Sequence, residues 1–371
     1  MKHVFFSVGE PSGDLHAAAV IRRLRGFHVS GIAGDAMAAA GVTPLFHIRE
    51  TSVMGFSEVA KNYFRLKRLL KTTCETIAAD KPDLLVLVDY PGFNLALAEF
   101  VKPLKVPVLY YIAPKVWAWR EGRIRTMKRV IDRMAVIFPF EEAYFRERGI
   151  RADYVGNPNA EIPPVETTRA DFLGSLNIPE NGKVLSLLPG SRRQEVARIL
   201  PPMLGAARTL MDRGVFSHTV VSRMDILSPD LFADTQKDSR IRTFSGPSAT
   251  LMAHSDFLFV KSGTATLEAA LHLKPFLVVY KTSFLSTFVG RRVVKLPAVS
   301  MVNIILGRTA VPELLHENAS PERMVSETLG LLNDPARLQE MTGTFRKLRE
   351  DLSRKEASLT TASIIKEMIH G

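Results

Sequence analysis

The sequence of 371 residues has a single cysteine and no long uncharged apolar run. Cys74 cannot form an intrachain disulfide and has no partner thiol at metal-ligand spacing, which favours a reducing compartment. Residues 1–9 lack the charged, apolar and small-residue regions of a secretory signal, which predicts a cytoplasmic protein. The most apolar stretch, residues 278–306, is interrupted by four cations: Lys281, Arg291, Arg292 and Lys295. We therefore expect a chain that can lie on a membrane but cannot span one.

Acidic residues are in deficit, and recognisable metal and nucleic-acid motifs are missing. With 49 Lys and Arg against 38 Asp and Glu, the formal net charge is +11. This excess predicts an anionic partner, which can be nucleic acid, a phosphorylated substrate or an acidic lipid surface. The sign of the charge does not choose among these three, but no recognised nucleic-acid-binding motif accompanies it, so we predict no nucleic-acid partner. The sequence has no HExxH, CxxC or acidic cluster at ligand spacing, so we predict neither a metal nor a cofactor.

Short apolar strand patterns alternate with helical patterns along most of the chain. Residues 3–8 form an apolar run with β-branched and aromatic residues, and a helical pattern follows at residues 15–24. Consecutive buried strands with helical crossovers predict parallel sheets. The further strand patterns form two series, at residues 84–88, 106–111, 134–138 and 152–155, then at residues 184–188, 218–221, 257–260 and 276–279.

The length and the break between the two series predict two domains, because a single hydrophobic core stops growing below this size. Residues 161–166 contain two prolines and flanking charges, which suit an exposed linker. We predict an α/β protein of two Rossmann-like domains facing a cleft. The boundaries are residues 1–160 for the N-terminal domain and 161–345 for the C-terminal domain. Residues 346–371 are expected to form a helix that packs on the first domain or on a partner subunit.

Two strand-to-helix loops of the second series have the composition of phosphate sites. Residues 187–193, LLPGSRR, place Gly190 where backbone N–H groups can approach an anion at a helix N-terminus. Residues 261–268, KSGTATLE, repeat the arrangement, and Glu268 would accept hydrogen bonds from ribose hydroxyls. The competing interpretations are an ordinary turn with surface arginines and a Ser/Thr helix cap with a solvated glutamate.

Two loops of the first series carry carboxylates. Asp89 follows the strand at residues 84–88, where ligands bind in open α/β sheets, and it can take a proton from a sugar hydroxyl. It can equally be a turn residue that caps the next helix. The loop at residues 9–14, GEPSGD, supplies acidic and hydroxyl groups toward the same cleft, or only caps its helix through Ser12 and Asp14.

Residues 54–71 combine large apolar side chains with five cations. A basic amphipathic segment is typical of contact with an anionic membrane surface. The alternative is an ordinary helix that packs its apolar face on the sheet. The residues predicted to touch the membrane are Phe56, Tyr63, Phe64, Arg65, Lys67, Arg68 and Leu69, with added cationic contacts from residues 289–296.

Taken in order, these motifs resemble those of the lipid-A-disaccharide synthases. The series is GEPSGD at 9–14, GIAGDAM at 31–37, MGFSEV at 54–59, DYPGFN at 89–94, IAPKVWAWR at 112–120, FPFE at 138–141, LPGSR at 188–192, SGTATLE at 262–268 and NIILGR at 303–308. Each motif alone is weak. The ordered series is specific, and it runs from the first strand to beyond residue 300.

The resemblance implies a GT-B glycosyltransferase. It would transfer 2,3-diacylglucosamine from UDP, with inversion, to the 6-hydroxyl of 2,3-diacylglucosamine 1-phosphate (lipid X), forming the β-1,6-linked lipid A disaccharide. Asp89 matches the family's general base, and Arg192 matches its essential arginine, which neutralises the departing diphosphate. The N-terminal domain would bind the acceptor on the cytoplasmic face of the inner membrane, and the C-terminal domain would bind the UDP-sugar. A homodimer through the C-terminal helix is a further expectation.

The predicted donor-binding residues are Gly190, Ser191, Arg192, Ser262, Gly263, Thr264, Glu268 and Asn303. The predicted acceptor or cleft residues are Glu10, Ser12, Gly13, Asp14, Asn94 and Asn157. Three positions depart from the family pattern: Gly92 replaces a usual second Asp, Asn157 replaces the His before Pro158, and Val302 replaces the Pro before Asn303. Two alternatives stay open, an enzyme like UDP-N-acetylglucosamine 2-epimerase and a non-catalytic membrane-surface binding paralogue.

Overall fold

The computed structural model describes residues 1–51, 59–117, 121–161, 165–281 and 298–370. The chain divides into two compact units, Met1–Glu161 with Leu352–Gly371 and Ile162–Asp351. Each unit is built on one parallel sheet with interleaved helices, which confirms the predicted α/β class with two Rossmann-like domains. Residue 346 lies inside a helix that continues to Leu352, so the C-terminal segment joins the first unit from Leu352 onward.

Within its described residues, the first unit contains seven strands: β1 (His3–Val8), β2 (His28–Ala33), β3 (Thr43–His47), β4 (Leu84–Val88), β5 (Val108–Tyr111), β6 (Arg133–Val136) and β7 (Ala152–Tyr154). Their order in the sheet is β3-β2-β1-β4-β5-β6-β7. Every residue of β4 is buried, as expected for a parallel strand covered on both faces. Because the strand order reverses between β1 and β4, the carboxyl ends of these two neighbours form the switch point where ligands bind.

The helices of this unit connect the strands and begin at the carboxyl edge of the sheet. They are α1 (Pro11–Ile21), α2 (Asp35–Ala39), α3 (Ile48–Thr51), α4 (Val59–Asp80), α5 (Pro91–Val101), α6 (Arg123–Val130) and α7 (Pro139–Glu147), with 3₁₀ turns at Lys102–Leu104 and Pro158–Glu161. The α1 and α5 helices start directly after β1 and β4, each with a proline in its first turn. Proline suits this position because its missing N–H has no partner there anyway.

The second unit repeats the design, and the part of it that the structure describes has six strands: β8 (Val184–Leu188), β9 (His218–Ser222), β10 (Ile241–Phe244), β11 (Phe257–Lys261), β12 (Phe276–Tyr280) and β13 (Glu313–Leu315). The strand order is β10-β9-β8-β11-β12-β13, so the switch point lies between β8 and β11. The helices are α8 (Arg169–Ser175), α9 (Arg193–Asp212), α10 (Ser248–His254), α11 (Thr264–Leu271), α12 (Met301–Leu306), α13 (Pro321–Leu332) and α14 (Pro335–Leu352), with 3₁₀ segments at Pro229–Lys237 and His316–Asn318.

The last helix, α15 (Ala357–His370), packs against α1 of the first unit. Arg133 at the start of β6 donates to the carboxylate of Glu367 at 2.7 Å. Before this helix, Gly156 has φ +101°, and a Cβ there would lie 2.1 Å from the carbonyl oxygen of Lys355. Only glycine allows this close approach of the two backbones. The C-terminal helix is therefore an integral part of the first unit.

Candidate active site

The turn after β4 carries two consecutive residues in the left-handed conformation. Asp89 has φ +45° and Tyr90 has φ +49°, a conformation that costs about 1–2 kcal/mol per residue outside glycine. The carbonyl oxygen of Asp89 accepts hydrogen bonds from Tyr110 Oη at 2.6 Å and Asn94 Nδ2 at 2.7 Å. Strain held in place by surrounding contacts is a mark of functional sites, and here it fixes the backbone from which the Asp89 carboxyl projects.

Asn94 holds this turn and is fully buried. Its Oδ1 accepts a hydrogen bond from Ser7 Oγ at 2.7 Å, and its Nδ2 also donates to the carbonyl oxygens of Ser7 at 3.3 Å and Val88 at 3.2 Å. Its polar atoms are thus used in joining β1 to β4. This corrects the predicted acceptor contact: Asn94 acts through the backbone of Asp89, because its own side chain is enclosed.

The Asp89 carboxyl lies in an environment that disfavours its charge. The pKa of Asp89 is raised to about 6, mainly by burial and in addition by the nearby carboxylate of Glu10. The positive charge of Lys115 and a hydrogen bond from the backbone of Tyr90 oppose this rise. A carboxylate with a pKa near 6 is mostly ionised at pH 7 and yet basic enough to accept a proton, which suits a general base.

The loop after β1 divides into exposed and structural residues. Glu10 and Ser12 are exposed, whereas Gly13 is buried. Asp14 is only 4% exposed. Its carboxylate accepts hydrogen bonds from three backbone N–H groups that begin α2, those of Gly34 at 2.7 Å, Ala36 at 2.9 Å and Met37 at 3.2 Å. The acceptor role predicted for Asp14 is therefore corrected to a structural one, whereas that of Gly13 stays a prediction.

Tyr90 connects this loop with the basic helix α4. A Cβ at position 9 would lie 2.2 Å from the Tyr90 ring, so the ring covers the backbone of Gly9. Burial raises the pKa of Tyr90, Glu10 raises it as well, and Arg65 lowers it. The phenol therefore lies within electrostatic range of a carboxylate and a guanidinium, and Arg65 brings the positive charge of α4 to the Asp89 turn.

The other α4 residues that the sequence predicts to contact a membrane lie on two different faces of the helix. Phe64 is 70% exposed, and Arg65, Lys67 and Arg68 are exposed as well. Leu69 is only 6% exposed because it belongs to the buried stripe Leu69, Thr73 and Ile77, which corrects its assignment to the membrane. Phe56, the side chain of Tyr63 and residues 289–296 lie outside what the structure describes. Among the described residues, no helix is both long and apolar enough to cross a bilayer.

In the second unit, the loop after β8 presents polar groups at the beginning of α9. Gly190 has φ +115°, and a Cβ there would lie 2.6 Å from Glu195 Oε2. Ser191 and Arg192 are exposed, and the Arg192 guanidinium lies 3.7 Å from the Glu195 carboxylate. An exposed hydroxyl and guanidinium at the N-terminus of a 20-residue helix form an arrangement that favours anions.

The loop after β11 lies on the neighbouring strand. Gly263 has φ +155° and Thr264 is exposed in the first turn of α11. Ser262 Oγ donates to the carbonyl oxygen of Val299 at 2.7 Å. Glu268 accepts a hydrogen bond from Ser248 at 3.1 Å, and burial raises its pKa. The predicted donor residues of this loop are thus brought to the same sheet edge as Gly190.

Two predicted site asparagines are enclosed. Asn303 is 2% exposed, and its amide bonds to the backbone of Ala310 and Val311 and to Glu313. Asn157 is fully buried, donates to the carbonyl oxygen of Ile137 at 3.1 Å and accepts from the backbone of Asn159 at 3.0 Å. Direct ligand contacts by Asn157 and Asn303 are therefore corrected to a role in holding loops.

Comparison with known proteins identifies the family of the chain. A model of the family described as lipid-A-disaccharide synthetase matches residues 4–368. The chain belongs to this family. The lipid-A-disaccharide synthase of Myxococcus xanthus (strain DK1622) is 39% identical over 367 residues, covering 97% of this chain and 96% of that protein. The protein of the same description from Syntrophus aciditrophicus (strain SB) is 36% identical and covers 99% and 98%. The predicted family and glycosyltransferase class are confirmed.

Solved structures extend the likeness at the level of the fold. A UDP-GlcNAc 2-epimerase from Neisseria meningitidis bound to UDP-GlcNAc aligns with a TM-score of 0.67 at 13% identity, over 100% of both chains. The glycotransferase of kitacinnamycin aligns with a TM-score of 0.63 at 14% identity, over 99% of this chain and 98% of that one. At such low sequence identity these structural alignments show the fold alone. They confirm the predicted GT-B architecture of this lipid-A-disaccharide synthetase family member.

The three departures from the family pattern have different settings. Gly92 is exposed, and a Cβ there would meet nothing within 4 Å, so the usual Asp would fit without steric conflict. Val302 and Asn157 are fully buried. The departures at positions 302 and 157 therefore affect packing and loop hydrogen bonds. The departure at position 92 affects the exposed surface about one helical turn from Asp89.

Sequence reasoning assigned no role to a cluster beside Asp89. Glu141 is fully buried and accepts hydrogen bonds from Trp117 Nε1 at 3.0 Å and from the backbone of Ile137 and Phe138 at 3.2 and 3.1 Å. Burial raises the pKa of Glu141 to about 7, and these hydrogen bonds and Lys115 oppose the rise. Glu141 thus anchors the loop that presents Lys115. Lys115 lies in the IAPKVW motif and Glu141 in the FPFE motif, but the sequence of the two motifs does not show that they are close in space.

No group of three or more His, Cys, Asp or Glu among the residues that the structure describes could hold a metal ion.

Proposed function

We propose that this protein transfers 2,3-diacylglucosamine from UDP to the 6-hydroxyl of 2,3-diacylglucosamine 1-phosphate, with inversion, to form the β-1,6-linked lipid A disaccharide. The observation that carries the proposal is the Asp89 carboxyl, held on a strained turn in a chain that belongs to the lipid-A-disaccharide synthetase family. In this reaction Asp89 removes the proton from the attacking hydroxyl. Its pKa of about 6 leaves it ionised at neutral pH.

The second unit supplies the donor side of the reaction. A UDP-sugar diphosphate would bind at the loops that follow β8 and β11, where Gly190, Ser191, Gly263 and Thr264 lie beside helix N-termini. Arg192 would stabilise the charge that develops on UDP as the glycosidic bond breaks. The UDP-GlcNAc carried by the Neisseria meningitidis epimerase supports a UDP-sugar as the donor for this architecture.

Acylated substrates require access to a lipid surface, and α4 offers an exposed apolar and basic face for it. Phe64 is 70% exposed among the exposed cations Arg65, Lys67 and Arg68. Such a face suits an anionic leaflet, because apolar insertion and charge attraction act together. We propose peripheral binding to the cytoplasmic face of the inner membrane. The homodimer stays a prediction; α15 packs on α1 of its own chain.

The proposal is tested by product formation in detergent. We expect the purified protein to release UDP and form disaccharide only when UDP-2,3-diacylglucosamine and 2,3-diacylglucosamine 1-phosphate are both present. Mass spectrometry of the lipid fraction identifies the product, and controls omit each substrate in turn. UDP-N-acetylglucosamine in place of the donor tests for epimerisation. Epimer without disaccharide, or UDP binding without turnover, would refute the proposal and support one of the two alternatives.

The pH dependence of the reaction should report the surroundings of Asp89. We expect kcat/KM to fall below a midpoint of about pH 6 as the base takes up a proton. Lys115 favours the carboxylate, so Lys115→Met should move the midpoint to higher pH. Glu10 disfavours it, so Glu10→Gln should move the midpoint to lower pH. Shifts in the same direction, or none in either variant, would show that Asp89 does not set this limb of the profile.

A further inference from the structure

Two loops of the second unit meet because their strands are neighbours. The β8 and β11 strands pair in parallel, with Leu188 opposite Val260. Lys261 is the last residue of β11, and Arg192 follows β8 by four positions. Side chains that follow the carboxyl ends of adjacent parallel strands emerge at the same edge, so the two cations lie together where ligands bind.

One carboxylate faces both cations. Glu195 Oε1 lies 3.0 Å from Lys261 Nζ and 3.7 Å from Arg192 Nη1. Lys261 and Glu195 are only 21% and 20% exposed at their side chains, whereas Arg192 is 76% exposed. Water screens the Lys261–Glu195 pair less than an ordinary surface ion pair, so its charge interaction is stronger.

The same carboxylate lies against the turn that starts α9. Glu195 Oε2 would be 2.6 Å from a Cβ at Gly190, and Gly190 has φ +115°. Glu195 belongs to the first turn of α9, where the helix dipole favours negative charge. The Glu195 carboxylate thus interacts with the same positive groups that would bind an incoming phosphate, namely the helix N-terminus and the two cations.

We propose that Lys261 is a further donor-binding residue, whose ammonium passes from Glu195 to the diphosphate of the nucleotide sugar. Glu195 is its counter-ion before the donor binds. The inference rests on the proposed UDP-sugar donor. A diphosphate carries more negative charge than one carboxylate and competes for the same cations at short range. The Glu195 carboxylate therefore weakens binding of the donor, whereas the Lys261 ammonium strengthens it.

The test measures binding of UDP and of uridine by isothermal titration calorimetry, without acceptor or acyl chains. Lys261→Met should weaken UDP binding by about tenfold, equal to about 1.4 kcal/mol, and leave uridine binding unchanged. Glu195→Gln keeps the shape but removes the competing charge, so it should tighten UDP binding by about three- to tenfold. Opposite signs for the two variants distinguish a counter-ion from a structural pair, because loss of a structural pair weakens binding in both.

The matched control is Lys183→Met. Lys183 is exposed and directly precedes β8, so it lies at the opposite edge of the same sheet. The Lys183→Met substitution removes the same charge as Lys261→Met and should leave UDP binding unchanged. Thermal unfolding of each variant shows whether the unit stays folded, and Lys261→Arg should restore most of the UDP affinity. Unaltered UDP binding in Lys261→Met, or equal weakening of UDP and uridine, overturns this inference alone. Absence of UDP binding by the unaltered chain overturns the proposed donor as well.

Discussion

Asp89→Asn should lower kcat for disaccharide formation by about a thousandfold, within the range that general bases contribute. Asparagine is the best replacement because it tolerates the left-handed conformation seen at φ +45° and matches the carboxyl in size. The hydrogen bonds from Tyr110 and Asn94 go to the backbone carbonyl of residue 89, so they remain. The loss should therefore appear in kcat with little change in the KM of either substrate.

The control for this change is Asp83→Asn. Asp83 lies just before the other end of β4, where it pairs with Lys2 at 2.8 Å. Removing its charge should leave kcat within about twofold, since an exposed ion pair contributes little. Asp89→Asn with activity within tenfold of the unaltered protein would mean that another group accepts the proton. Loss of activity together with a collapsed thermal transition would point to folding and call for the UDP-binding assay on the same sample.

The fold was accessible from the sequence because its signals are local and repeated. The β4 strand is a continuous apolar run and β8 is apolar except for Ser186, and each is followed by a turn and a helix start, so parallel sheets could be predicted. The carboxyl edges of the sheets then indicated where Asp89 and Arg192 would lie. The ordered motifs supplied the family, and the match over residues 4–368 confirmed it.

What the sequence could not provide was the partner of each polar side chain. Asp14, Asn94, Asn157 and Asn303 look like ligand-binding residues in a motif, yet each is buried and bonded mainly to backbone groups. A capping carboxylate and a binding carboxylate have the same letter, and only the partners distinguish them. The Lys261–Glu195 pair joins residues 66 positions apart in the chain, so no local pattern predicts it.

Leu69 illustrates the same limit on a helix. The segment is amphipathic, but hydrophobic periodicity alone does not say whether an apolar residue faces a membrane or the protein's own sheet. The burial of Leu69, Thr73 and Ile77 at intervals of four residues decides it for that stripe. Phe64 lies off the stripe and is exposed, so contact with a membrane stays a prediction for that face of α4.

Arg192→Ala should lower kcat by about a hundredfold or more, in the range measured when one donor to a developing anion is removed. The side chain is 76% exposed and lies 3.7 Å from Glu195, so its removal disturbs little packing. Its charge matters most when UDP departs, because the leaving diphosphate gains negative charge in the transition state. Lys261 is instead expected to act on ground-state binding. The two cations should therefore separate in a steady-state experiment: Arg192→Ala lowers kcat, whereas Lys261→Met mainly raises the donor KM.

Arg193→Ala is the matched control for the arginine. Arg193 is the next residue, is also exposed and is the first residue of α9, so its replacement removes the same charge from the same end of the helix. We expect it to retain kcat within about threefold. Equal losses in both arginine variants would attribute the effect to the positive field of the loop as a whole. Arg192→Lys gives the final distinction: a lysine restores charge but not the planar pair of donors, so partial rescue indicates a directed contact with phosphate oxygens and full rescue indicates charge alone.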